Sequence, residues 1–371
     1  MKRVLLLFIS EHSGHHCASL AIEKALHELE ASTQTLNINS FNYTNPILEK
    51  VINRAYMGVV KRTPELWDYL YDNPKVLKKT QILREMMHKF NTDKLKALID
   101  GFNPDAIVCT QAFPCGMIAD CKKTFGLTIP LIGVLTDYAP HSYWIFNNVD
   151  YYIVPSEETG QKLIANGIDA SKIKSFGIPI DPKFRNSLNK ETICSCLGIK
   201  SDRPCVLIMG GTQGLGPIKK ITRLLDKSHI DLQLIIACGT NKKLYNALAR
   251  RRYRKNVKIL SYAPNIDELM QIADIILTKP GGITTAEALA KGLPMLIVHP
   301  LPGQETMNTK FLLDEGVAVK AESPEDVLVL LEELLENRNK LKGMSDRAAA
   351  LAKPDSSIKV ARLMLDTDQG G

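Results

Sequence analysis

TKPGGITTAEALAKGLPMLIVHPLPGQETMNTKF, Thr278 to Phe311, decides the fold of this chain. An apolar run, Ala273 to Leu277, predicts a strand that feeds the turn Pro280-Gly281-Gly282. Thr284 and Thr285 then open a helix that runs through Glu287 and Leu289. A second strand, Met295 to Val298, ends in the polar loop Pro302-Gly303-Gln304-Glu305. Strand, turn, helix and strand in this order form the repeating unit of a doubly wound parallel sheet. Glycines let backbone N–H groups approach a ligand closely, and a helix N-terminus carries about half a positive charge. The combination is an anion site suited to a diphosphate. Gln304 and Glu305, at the C-terminal end of the next strand, are placed to hold sugar hydroxyls. The same residues also read as a plain glycine turn joining strand to helix.

The alternation extends in both directions. Apolar runs predict strands at Val4–Ile9, Gln34–Ile38, Ala106–Cys109, Leu131–Leu135 and Tyr151–Val154. They recur at Cys205–Met209, Gln233–Ala237, Val257–Leu260, Ile275–Leu277 and Met295–Val298. Helical patterns follow the first strand (Ala18–Glu30) and the fifth (Glu157–Asn166). The fold class is therefore α/β, with two doubly wound, mostly parallel sheets. Gly177-Ile178-Pro179-Ile180-Asp181-Pro182 interrupts the pattern with two prolines and marks the boundary. Residues 1–180 form the first domain, 183–352 the second, and 353–371 a last helix and polar tail.

At 371 residues the chain is long enough for two cores. Its 45% hydrophobic and 23% charged content is that of a globular protein. No apolar run approaches the roughly 20 residues that span a bilayer. Met1 to Ser10 lacks a small-residue cleavage site and reads as a buried strand, not a signal peptide. The eight cysteines contain no C-x-x-C pair, which fits buried thiols in a reducing cytosol and no metal site. The net charge of +7 is not concentrated enough for a nucleic-acid binder, but suits an anionic substrate or an anionic membrane.

One segment breaks the alternation. Residues 49–96 read as a helical insertion, with ten Lys or Arg against five Asp or Glu from Arg54 to Lys96, Lys61 and Arg62 among the former. Tyr56, Trp67, Tyr69, Tyr71 and Phe90 are interleaved with them. Such a surface can rest at a bilayer interface. It can equally be an insertion whose aromatics fill its own core.

Other motifs carry chemistry. Ser10-Glu11-His12-Ser13-Gly14-His15-His16 follows the first strand, where α/β sheets place ligands. Gly14 permits a tight turn that presents His15 or His16, and the near-neutral pKa of histidine suits a general base. Gly210-Gly211-Thr212-Gln213-Gly214-Leu215-Gly216 opens the second domain, with neither dinucleotide-fingerprint spacing nor the Lys-Ser/Thr ending of a P-loop. Arg250-Arg251-Arg252-Tyr253-Arg254-Lys255 reads as cations complementing a helix C-terminus. Asp366-Thr367-Asp368 spells a metal-binding D-x-D, but lies in the polar tail and reads as chance.

The segment 278–311 resembles the donor-binding region of inverting GT-B glycosyltransferases. That group includes monogalactosyldiacylglycerol synthases, bacterial diacylglycerol glucosyltransferases and the lipid-linked N-acetylglucosaminyltransferase of cell-wall synthesis. The P-G-Q-E variant at Pro302–Glu305 is most similar to the diacylglycerol branch, as is Thr136-Asp137-Tyr138-Ala139-Pro140-His141-Ser142-Tyr143-Trp144, which matches T-D-x-x-x-H-x-x-W. Gly14-His15 with Ala18 and Ser19 matches the family's G-x-G-H loop, although His12 stands where its first glycine belongs.

The resemblance implies two Rossmann-like domains facing a central cleft, with the last helix packed back on the first. It implies that His15 is the base, with His16 the fallback, and that Asp137 orients it or binds the acceptor hydroxyl. Gly14, Gly211, Thr212, Gly214, Gly281, Gly282, Thr284 and Thr285 would serve the donor, Gly282, Thr284 and Thr285 at its diphosphate. Glu287 would hold the ribose, Gln304 and Glu305 the hexose, and the Tyr262 segment the uracil. His141, Trp144, Trp67, Lys61 and Arg62 would meet the acceptor or the membrane. The implied activity moves a hexose from a UDP-sugar to diacylglycerol, peripherally on the inner face of the cell membrane, with no metal or other cofactor. The alternatives are N-acetylglucosamine transfer to a polyprenyl-linked precursor, a UDP-sugar 2-epimerase, or a non-catalytic UDP-sugar-binding regulator.

Overall fold

The computed structural model describes residues 1–44, 92–140 and 142–367. Most of the 49–96 insertion, with Lys61, Arg62 and Trp67, lies outside the described residues, as do His141 and Asp368. The chain divides into two units. One takes the residues up to Pro182, with 302–304 and those from Asp355 on; the other takes 183–301 and 305–354.

The first unit holds a six-stranded parallel sheet of β1 (Arg3–Phe8), β2 (Gln34–Asn39), β3 (Ala106–Cys109), β4 (Leu131–Val134), β5 (Tyr151–Ile153) and β6 (Ile173–Lys174), in the order β2-β1-β3-β4-β5-β6. The central strands are apolar along their whole length because helices cover both faces. Leu5 and Leu7 enter one core with Ile107 and Leu131, while Val4 and Leu6 enter the other with Val108 and Ile132. The helix Gly14–Leu29 buries Ala18, Ala21, Ile22, Ala25 and Leu26, a stripe at helical spacing.

The second unit repeats the architecture with β7 (Cys205–Met209), β8 (Gln233–Ala237), β9 (Val257–Leu260), β10 (Ile275–Thr278), β11 (Met295–Val298) and β12 (Ala318–Ala321), in the order β12-β11-β10-β7-β8-β9. The sequence reading lacked β6 and β12. β6 is two residues long, and β12 sits at the sheet edge with half-buried Val319 and Lys320, so neither makes a long apolar run.

In each sheet the order in which strands are added reverses once, between β1 and β3 in the first and between β7 and β10 in the second. Loops leaving the C-terminal ends of those strand pairs diverge to opposite faces and leave a crevice between them. The loops are Ile9–Ser13 and Thr110–Gln111 in one unit, and Gly210–Gly216 and Lys279–Gly281 in the other.

The last helix, Ser356–Asp366, belongs to the first unit and packs on Gly14–Leu29. Ile358, Val360, Ala361 and Met364 join the Val4–Leu6 core, Ser356 Oγ donates to the Ile178 carbonyl at 2.7 Å, and Lys2 Nζ donates to the Thr367 carbonyl at 2.6 Å. Met364→Ala should lower the stability of this unit by about 2–5 kcal/mol in denaturant unfolding. A change of a few tenths would mean that the helix does not share the core.

Candidate functional site

The crevice of the first unit is built around His15. Ser13 caps the helix Gly14–Leu29, its Oγ accepting from the His16 amide at 3.3 Å, and so places His15 in the first turn. His15 Nδ1 lies 3.0 Å from the Thr110 carbonyl oxygen and 2.9 Å from Thr136 Oγ1. A carbonyl only accepts, so Nδ1 carries the proton and Nε2 keeps its lone pair. Thr110 closes the clamp, its Oγ1 donating to the His15 carbonyl at 2.9 Å. Gln111, Ala112, Thr136, Asp137, Ala139 and Trp144 line the small pocket around the ring. Burial pushes the His15 pKa below its ordinary value, while the Asp137 carboxylate and the Thr110 carbonyl pull it back up.

His16 is occupied differently. Its ring stacks on Phe8 at 4.1 Å between centroids, and its Nδ1 accepts from the His12 amide at 3.3 Å. The tight turn expected of Gly14 is made elsewhere. Gly14 is the first residue of the helix, and Ser10 (φ 62°) and His12 (φ 58°) take the left-handed conformations. Thus the histidine at the glycine position of the family pattern adopts the backbone that a glycine would supply.

In the second unit, two glycine-dependent loops lock together. A methyl group built on Gly210 would fall 2.1 Å from the Leu215 carbonyl oxygen, and one on Gly239 2.1 Å from that of Thr212. The Thr212 carbonyl accepts from the Thr240 amide at 2.8 Å, and the Gly214 carbonyl from Asn241 Nδ2 at 3.2 Å. Gly214 (φ 55°) faces the Cys238 carbonyl. Close backbone approach therefore fixes Gly210 and Gly214, and leaves Gly211 at the loop's surface beside Lys279.

The helix Gly282–Ala290 starts after Gly281, which offers no side-chain cap, so its first-turn amides have no carbonyl one turn back to serve them. Thr284 and Glu287 are half-buried on this helix. Thr285 is fully buried; its amide donates to Gly281, and among the described residues its hydroxyl has no partner. Thr285 thus belongs to the buried face of this helix. Gln304 and Glu305 do not end a loop, as the sequence suggested, but open the helix Gln304–Asp314 after the left-handed Gly303. Glu305 is ion-paired to Lys279 through Oε1 and accepts from the Leu301 amide through Oε2 at 2.8 Å. Lys279 was missed by the sequence reading; its place between an apolar strand and Pro-Gly-Gly is the signal that could have found it.

Tyr262 is 62% exposed in the loop after β9. Trp144 is 5% exposed, belongs to the core and also lines the His15 pocket. Burial holds Cys109 and Cys205 as thiols, and no cluster of three metal-ligating side chains occurs among the described residues.

Two parallel six-stranded sheets, each wound on both faces with helices, are the paired Rossmann-like domains of the GT-B glycosyltransferase fold. Residues 15–180 match the monogalactosyldiacylglycerol (MGDG) synthase family model, and residues 205–360 match the glycosyltransferase family 28 C-terminal domain. The chain is 32% identical over 367 residues to a processive diacylglycerol beta-glucosyltransferase of Bacillus pumilus, covering 96% of this chain and 92% of that one. It is also 32% identical over 365 residues to the protein of that name in Bacillus subtilis, covering 96% and 93%. Among solved structures, Acinetobacter baumannii MurG shares the fold with a TM-score of 0.64 at 18% identity, over 99% of this chain and 100% of that one. The UDP-GlcNAc 2-epimerase of Neisseria meningitidis shares it at 0.62 and 14%, over 98% and 100%. The chain belongs to the family of monogalactosyldiacylglycerol synthases and processive diacylglycerol glucosyltransferases, and is a glycosyltransferase.

If the Asp137 carboxylate supports the imidazolium form of His15, Asp137→Asn lowers the titration midpoint of that ring, read by NMR of its carbon-bound protons. An unchanged or raised midpoint contradicts the electrostatic arrangement.

Proposed function

We propose that the chain transfers a hexose from a UDP-sugar to the free hydroxyl of diacylglycerol, inverting the anomeric centre. The observation that carries this reading is the contact of His15 Nδ1 with the Thr110 carbonyl oxygen at 3.0 Å, which makes Nδ1 the donor of the neutral ring and leaves Nε2 basic. The ring is close enough to Asp137 for the carboxylate to stabilise the imidazolium that forms. His16, held against Phe8 and the His12 amide, is the weaker candidate for the base.

The mechanism is a single displacement. Nε2 of His15 takes the proton of the acceptor hydroxyl as that oxygen attacks the anomeric carbon. The bond from that carbon to the diphosphate oxygen breaks with its electron pair, and UDP departs. The first-turn amides of Gly282–Ala290 and the Gly210–Gly216 loop receive the charge that develops on the diphosphate. Glu287 holds the ribose, Gln304 and Glu305 the hexose, and backbone of the Tyr262 loop the uracil. Backbone amides and the helix terminus stabilise the leaving group in this scheme, which calls on no divalent cation or other cofactor.

The acceptor resides in a bilayer and the donor in water, so the protein works peripherally at the water-facing surface of a membrane, on the cytoplasmic side. Its positive net charge of +7 favours an anionic surface. Among the described residues no helix is long and apolar enough to cross a membrane. The names of the curated relatives support the acceptor class, and the family 28 domain match supports a nucleotide-sugar donor.

His15→Ala should lower kcat about 100- to 10,000-fold while leaving UDP affinity nearly intact. Equal loss of both would remove the base role. The function itself is tested with liposomes, with and without diacylglycerol, and separate UDP-glucose, UDP-galactose and UDP-N-acetylglucosamine. Mass spectrometry of the lipids should find hexosyl-diacylglycerol from one of the first two. Lipid-independent conversion of UDP-N-acetylglucosamine to its C2 epimer would establish the isomerase reading instead.

A further inference from the structure

Lys279 stands at the meeting point of three loops. It follows β10, with its carbonyl accepting from the Gly281 amide at 2.9 Å. A methyl group built on Gly211 would lie 3.0 Å from Lys279 Cε and 3.7 Å from Nζ, so the lysine stem and ammonium lie across that glycine. The ammonium is paired with Glu305 Oε1, and the same oxygen is 3.9 Å from the position a methyl group on Gly281 would take. The Lys279 side chain is 19% exposed and that of Glu305 10%. The second carboxylate oxygen is held by the Leu301 amide. One half-buried ion pair therefore sits against the Gly210–Gly216 loop, the N-terminus of Gly282–Ala290 and the start of Gln304–Asp314.

We infer that Lys279 and Glu305 act as an exchangeable pair that makes recognition of the diphosphate a precondition for recognition of the sugar. The inference rests on the donor reading above and assigns Lys279 a role that reading lacks. Without donor, the ammonium neutralises a carboxylate that would otherwise face the same space as an incoming polyanion. When the diphosphate reaches the Gly282 amides, it is the stronger partner for the ammonium, because it carries more negative charge and the helix terminus already favours it there. Lys279 then swings from carboxylate to diphosphate. Glu305 Oε1, released, accepts a hydrogen bond from a hydroxyl of the hexose, while Oε2 keeps the Leu301 amide and so holds the carboxylate in place. The pair is a positioning device: no covalent bond changes, and the ammonium changes partner.

The exchange makes a prediction that a bracing salt bridge does not. Glu305→Gln preserves an acceptor for the Leu301 amide and removes the competitor for the ammonium. The full-length variant should bind UDP about two- to fivefold tighter than the wild type in calorimetry, yet gain less affinity than the wild type does when UDP-glucose replaces UDP. Lys279→Met should weaken UDP about ten- to a hundredfold. Thermal melts establish that each variant is folded, and if Lys279→Met is not, Glu305→Gln decides alone. Weaker UDP binding by Glu305→Gln, or an unaltered gain with UDP-glucose, overturns the exchange and leaves the donor site standing. Wild-type protein that binds neither UDP nor UDP-glucose overturns the donor reading and the exchange together.

Discussion

The hydrogen bond from His15 Nδ1 to the Thr110 carbonyl is the constraint on which the proposed chemistry depends. It fixes ring orientation and tautomer at once, and a histidine free to rotate would satisfy neither requirement of a directional base. The bond exists because of topology. His15 lies in the first turn of the helix after β1, Thr110 directly follows β3, and these strands are neighbours although the two residues are 95 positions apart in the chain. Thr136, two residues beyond β4, completes the contact. Three consecutive positions across the sheet thus hold one ring, and the apolar strands beneath them provide the rigidity that a loop alone would lack.

The second unit solves a complementary problem by the same geometry. There the reversal between β7 and β10 brings Gly210–Gly216 beside Lys279–Gly282, and what the crevice offers is positive charge and unsatisfied amides rather than a base. The glycines divide into two kinds. Gly210, Gly214 and Gly239 allow backbone to touch backbone, which makes them structural supports of the loop. Gly211, with Lys279 laid across it, allows a side chain to approach. Removal of a methyl group at each position thus serves either the frame or the site.

Much of this was readable in the sequence because it is carried by local pattern. Ten of the strands announced themselves as apolar runs, and the glycine turns marked where strands release the chain. The association of His15 with Asp137 follows from a family likeness; the clamp on the ring by Thr110 and Thr136 does not, because two threonines in the loops after strands have no distinctive spacing. The turn before His15 was misassigned to Gly14, since a glycine is the usual carrier of a positive φ and here Ser10 and His12 bear it. Pro302 and Gly303 make Gln304 and Glu305 look like loop in the sequence, yet those two preceding residues form the turn from which a helix starts. Apart from its place before Pro-Gly-Gly, Lys279 carries no signal of its own in the sequence, since a lysine after a strand is ordinary until its partner, 26 positions on, is placed beside it.

The imidazole tautomer tests the central claim most directly. Nitrogen-15 NMR of the histidine rings, at a pH above the His15 midpoint, distinguishes a protonated from an unprotonated ring nitrogen. A protonated Nδ1 and an unprotonated Nε2 are expected for His15. A proton resident on Nε2 in the wild-type protein would contradict that claim.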